Sequence, residues 1–360
     1  MTTDDRAWVA TKKGLFELRR RQGRWAIAHV SFLGEPVSMF LPPAAGGSRM
    51  LVSLTTGHYG TKLHASEDAG RSWTEVATPT YPPQPEGAEG PEWKLVLVWS
   101  LEQANGRVWA GTLPGGLFES SDFGGSWRLV ESLWNRKERL GWFGGGYPVP
   151  GIHSICPHPQ RAGEMLLGIS CGGAWLSRDG GTNWALSAKG MRADFMPPEL
   201  AEDQNIQDAH RIVRCAGTPD VLWCQHHGGI WRSTDNAASW QPINSVPLSD
   251  FGFAVAVHPR DANTAWFAPA QADQCRVPVA AALAVNRTRD GGRTFETLRD
   301  GLPQEHAYDL VYRHGLAVGD DGKTLLMAST SGGLWASADG GDAWQTVSTT
   351  LPPAVAVRFG

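Results

Sequence analysis

His153, His210 and His227 carry the clearest chemical signal in this 360-residue chain. Neutral imidazoles are good ligands for Zn, Fe, Cu or Ni, and three from separate segments leave coordination positions open for water or substrate. They could instead polarise a small anionic substrate, or simply satisfy backbone groups around a polar tunnel. A divalent transition metal is therefore one expectation, although no HExxH spacing supports it locally. Arg192-Ala193-Asp194 offers an anion clamp and a carboxylate for acid/base work, or else a structural ion pair. Asp250 and Glu305, each ahead of an apolar run, are either general bases or turn caps. Asp194, Asp250 and Glu305 are thus the catalytic candidates, but their separations, which would test for a glycosidase, cannot be read from sequence. The candidate ligand-binding set is Trp99, Arg192, His153, His210, His227 and His306. His226 and His227, adjacent on a strand end, point to opposite sides and do not both serve one ion. Cys171 and Cys224 have no local signature of a nucleophile.

The elements that must position these residues are set by a repeat. The pattern S-x-D-x-G-x-x-W of Ser337 to Trp344 recurs at Ser66, Ser120, Ser177, Ser233 and Thr288, each copy between two short apolar runs. This is hairpin punctuation: Ser and Asp oxygens accept from the turn's own N–H groups, and Gly tolerates positive φ. Asp68, Asp122, Asp179, Asp235, Asp290 and Asp339 accordingly read as structural, since one carboxylate per turn is too few for calcium. The closing aromatic has up to roughly 5 kcal/mol of apolar surface to bury. A degenerate copy at Trp8 to Trp25 lacks the Asp and Gly positions. Counting it, the closing aromatics Trp25, Trp73, Trp127, Trp184, Trp240, Phe295 and Trp344 recur about every 50 residues, the period of a four-stranded propeller blade.

The turns resemble the Asp-box, or BNR, repeats of sialidase-like propellers, a superfamily within the WD40/YVTN/BNR-like folds that also includes sortilin-like and photosystem II stability factor-like proteins. The resemblance implies a β-propeller, and the seven units counted make it an all-β, seven-bladed β-propeller in a single domain, residues 1–360. Blade 1 is expected from residues 7–30 plus 354–358, the C-terminal strand closing the ring. Sialidase chemistry does not carry over. The family's early inner-strand arginine has no counterpart in Val37-Ser38-Met39-Phe40, the only R-x-P triplet is Arg276-Val277-Pro278 in a late insertion, and sialidases have six blades. The repeat is otherwise silent about substrate, leaving a glycosyl hydrolase-like label without a mechanism.

Forty-three glycines and 17 tryptophans suit an all-β chain, and a net charge of −4 argues against a nucleic-acid partner. Five cysteines without framework spacing, no apolar leader behind Met1 to Arg6 and no long apolar run lead to the expectation of a cytoplasmic protein without a membrane partner.

Inner strands are expected at Val37 to Leu41, Leu95 to Leu101, Gly151 to Cys156, His210 to Cys215, Phe253 to Val257 and Tyr308 to Tyr312. The long segments Thr74 to Lys94, Arg128 to Pro150, Ala185 to Ala209 and Pro269 to Asn286 then gather on one face, with His153, His210, His226, His227 and His306, whereas His314 falls on the other. Long loops on a rigid scaffold usually carry function. Two readings follow: a propeller that binds a small ligand or protein at this channel mouth, or a glycosidase-like or metal-assisted hydrolase or lyase at the same place.

Overall fold

The structure, a computed structural model, describes residues 5–360. Residues 1–4 of the polar opening segment lie outside the described residues. Seven antiparallel four-stranded sheets form the blades of a β-propeller. The inner strands of blades 2 to 7 are Val37–Leu41, Leu97–Ala104, Ile152–Pro157, Ala209–Arg214, Gly252–Val257 and Leu316–Val318. Blade 1 takes its inner strand, Ala354–Phe359, from the C-terminus and pairs it with Arg6–Thr11. The first and last segments are thereby joined in one sheet, which leaves neither as an open edge.

One expected strand is displaced. Tyr308 to Tyr312 is irregular, and the inner strand of blade 7 lies further on, at Leu316–Val318. Thr330 N still donates to Leu310 O, so the earlier segment runs beside its neighbour, but a tight turn in which Gly315 N donates to Tyr312 O at 2.6 Å interrupts the ladder.

The six turns share one hydrogen-bond plan. Ser66 Oγ donates to Asp68 Oδ1 at 2.7 Å and accepts from Gly70 N at 2.8 Å, while Asp68 Oδ1 also accepts from Ser72 N at 2.8 Å. The same Ser or Thr arrangement recurs at 120, 177, 233, 288 and 337. Each polar side chain is consumed within its own turn. The closing tryptophans bind the blade to its predecessor: Trp73 Nε1 donates to Ser31 Oγ, Trp127 to Ala77 O, Trp184 to Ser132 Oγ and Trp240 to Ser187 O. Their burial differs. Trp25, Trp184, Trp240 and Trp344 are buried, whereas Trp73, Trp127 and Phe295 are half-exposed and contribute less apolar burial.

This strand order puts the outer-to-inner connections and the second-to-third-strand turns on one face, with the repeated turns on the other. Leu33, Val96, Leu248 and Tyr308, together with Leu140, Phe143, Phe195 and Leu200, sit on outer-to-inner connections, and Tyr59 on a second-to-third-strand turn. Nine of the ten exposed large apolar side chains among the described residues are therefore on that face, Ile27 being the exception.

Candidate functional site

The site is built by a repeated irregularity in the inner strands. Pairing skips Ser38, Trp99, His153, His210 and Phe253, each the second or third residue of its strand, so each stands as a β-bulge. A bulge re-aims the side chain that it frees from the ladder. In blade 1 the register jumps across Val355, between Ala354 and Ala356. Blade 7 replaces the bulge with the Tyr312 to Gly315 turn, which presents Arg313 and His314.

The freed side chains meet at the channel mouth. Trp99 stands edge-on to His153, with ring centroids 5.5 Å apart, and to Tyr147 at 5.2 Å. His210 stacks on Phe253 at 4.4 Å. The Arg313 guanidinium lies 4.8 Å from the Trp99 ring and 5.5 Å from the Phe253 ring, so a side chain from blade 7 reaches one from blade 3. Arg313 and His314 line two cavities: an upper one of about 270 Å3, with Lys12, Trp99, Tyr147 and Arg276, and a lower one of about 330 Å3, with Arg211, Arg214 and Arg358. His314 is therefore a mid-channel residue, not one of the opposite face.

Electrostatically, Arg313 is poorly satisfied. It is 6% exposed, and among the described residues its guanidinium donates one long hydrogen bond, 3.4 Å to Gly145 O, leaving Nε buried without a partner. Arginine has five N–H donors in a rigid fork suited to carboxylate or phosphate. Burial, reinforced by Arg313, pushes His153 well below the usual histidine range, and its Nε2 also lacks a partner. These groups suit an anion far better than an apolar ligand.

Beside Arg313 lies a second cluster, Asp208, His210 and His227, whose ligand-type atoms fall within 4.8 Å of one another. His210 Nε2 and His227 Nδ1 stand 3.4 and 3.5 Å from Asp208 Oδ2. Cys171 N donates to Asp208 Oδ1 at 3.3 Å. A Cβ on Gly145 would stand 3.0 Å from both carboxylate oxygens, so a larger residue here would crowd Asp208. Burial opposes ionisation of Asp208, but the facing imidazoles and Arg313 outweigh it and hold the carboxyl well below the usual range. Burial and the neighbouring Asp208 push the Cys171 thiol up, and burial does the same to Cys224, so neither is a ready thiolate.

The expected residues separate accordingly. His210 and His227 come together, with Asp208 as their third member, and His153 lies outside that group. His226 turns away from His227: its Nδ1 accepts from Gly228 N at 2.9 Å and its ring packs on Trp231. Arg192 is exposed and bound to Asp194 and Glu202, the ion-pair alternative. Asp250, Glu305 and His306 are exposed. Arg313 and Asp208 were not singled out as ligands from sequence, although Asp208-x-His210 sets a carboxylate and an imidazole two residues apart at the start of an inner strand.

No protein-family model and no curated protein matches the chain. Solved structures do. YCF48 bound to D1 peptide aligns over 94% of this chain and 88% of its own, at 16% identity and a TM-score of 0.54. What is shared is the propeller fold. YCF48 from Cyanidioschyzon merolae aligns over 87% and 84%, at 12% identity and a TM-score of 0.54. An ancestral GH74 enzyme aligns over 83% of this chain but 36% of its own, at 15% identity and a TM-score of 0.58.

Proposed function

We propose that this propeller is a recognition module whose loop-rich face engages a protein partner and takes an acidic side chain or chain terminus into the upper mouth of the channel. The observation that carries the reading is the concentration, among the described residues, of nine of ten exposed large apolar side chains on the face that also opens onto Arg313. Exposed apolar surface around a polar, partly unsatisfied centre is the pattern of an interaction site. The upper cavity, about 270 Å3, has room for an acidic side chain or chain terminus, with Lys12, Arg276 and Arg313 in its wall. A YCF48 propeller has been solved with a peptide bound, and the common fold makes that use available here.

The hydrolase reading draws less support. Asp194 is held by Arg192, and Asp250 and Glu305 stand exposed, outside the buried mouth. The test is affinity capture followed by fluorescence titration of acidic peptides from the captured partner. Arg313→Gln and the rim variant Phe143→Ser/Tyr308→Ser should each weaken binding at least tenfold, whereas Arg161→Ala/Arg260→Ala on the opposite face should not. Equal binding by all of these folded variants would refute the assignment.

A further inference from the structure

Asp208 Oδ2 faces two ring nitrogens at distances long for a hydrogen bond. His210 Nδ1 lies 2.6 Å from Gly252 O, and because a carbonyl oxygen only accepts, Nδ1 carries the proton. The ring then points Nε2 at a carboxylate oxygen 3.4 Å away, and His227 Nδ1 is 3.5 Å from the same oxygen. Three ligand-type atoms thus converge in a largely buried site, an arrangement that one cation would satisfy. Donors each about 2.1 Å from a tetrahedral ion stand roughly 3.4 Å apart; the two pairs that share Asp208 Oδ2 have that spacing, and the more exposed His227 ring must swing inward to complete the set, whose atoms lie within 4.8 Å of one another.

We propose that Asp208 Oδ2, His210 Nε2 and His227 Nδ1 form a three-ligand site for a divalent late first-row ion such as Zn2+, with one position open toward the channel mouth. Two imidazoles and one carboxylate favour that class over Ca2+ or Mg2+, which prefer all-oxygen shells. The supporting contacts are in place. Gly252 O fixes the His210 tautomer, and Cys171 N occupies Asp208 Oδ1, leaving Oδ2 as the ligand atom. Phe253 stacks on His210, and Phe251 lies edge-on to both His210 and His227. The remaining closure falls to His227, whose side chain is 24% exposed against 3% for His210. His153, the third histidine expected from sequence, is replaced by Asp208.

This site is independent of partner recognition, and its test reads metal directly. Full-length protein made without a histidine tag is stripped with chelator and titrated with Zn2+ and Co2+ by calorimetry, with Co2+ visible absorption as the coordination readout. One equivalent should bind, Mg2+ and Ca2+ should not compete, and Zn2+ should raise the thermal midpoint. His227→Ala, at a half-exposed position that leaves the fold intact, should weaken binding at least tenfold, and Asp208→Asn should do the same where it folds. The exposed-histidine control His306→Ala should bind as wild type. The absence of a saturable equivalent in folded protein, or unchanged affinity in His227→Ala, would mean that only a proton bridges these groups and would overturn the proposal.

Discussion

A guanidinium held between Trp99 and Phe253 with one long hydrogen bond is an expensive thing to keep in a closed site, and so are buried histidines with unpartnered nitrogens. The histidines give a pH prediction. Burial first, then nearby arginines, depress His153 and His314, so below about pH 6.5 the unfolded chain binds protons that the folded chain refuses. Stability should therefore fall as pH drops from about 6.5, by up to about 1.4 kcal/mol per pH unit for each such histidine. Thermal midpoints from pH 7.5 to 5.5 check this: His314→Gln should make the decline shallower, and an unchanged slope would contradict it. The turn residues give a second prediction. Ser337 Oγ both donates to Asp339 and accepts from Gly341 N, so Ser337→Ala should cost about 1–2 kcal/mol in denaturant unfolding, with no effect on binding at the other face. At this scale the sequence showed which residues had chemical capacity but not which would meet. Trp99, His153 and His210 were legible as inner-strand residues. Arg313 was not, because nothing in Tyr312-Arg313-His314-Gly315 announces a turn that reaches across a channel.

At the scale of the strand and its turn, the repeat disclosed nearly everything that is periodic. Inner-strand positions follow from the spacing of the repeated turns, and Val37–Leu41 has the bounds that its apolar run suggests. The bulges were hidden, since an extra residue in a ladder leaves the composition of the strand unchanged. Blade 7 shows the same limit: Tyr308 to Tyr312 has the alternation of a strand, but the following turn moves the regular pairing to Leu316–Val318. The closing tryptophans were legible in type and not in burial. Trp240 is 1% exposed and bonded to Ser187 O, so Trp240→Ala should cost about 3–5 kcal/mol. Trp127 is half-exposed, and Trp127→Ala should lower the midpoint distinctly less. Comparable losses at both positions would show that cross-blade bonding, rather than apolar burial, sets the contribution.

For the whole molecule, ring closure and the two-faced distribution of loops matter most. Arg358, on the closing strand, donates to Leu101 O at 2.8 Å and to Glu102 Oε2 at 2.7 Å, tying blade 1 to blade 3 across the channel. Removing residues 354–360 would expose the edge of Arg6–Thr11 and take away these bonds, so the truncated chain should melt lower and aggregate on heating; light scattering during a thermal ramp reads both. The closure was visible in the sequence as an apolar run at the far end, because blade 1 otherwise lacked a strand. The central claim is that function resides on the loop-rich face around Arg313. Its most direct test is hydrogen exchange of the full-length protein with and without its captured partner. The account predicts protection at Phe143, Tyr308 and the Tyr312 to Gly315 turn, lost in Arg313→Gln. Protection confined to the repeated turns of the opposite face would contradict it.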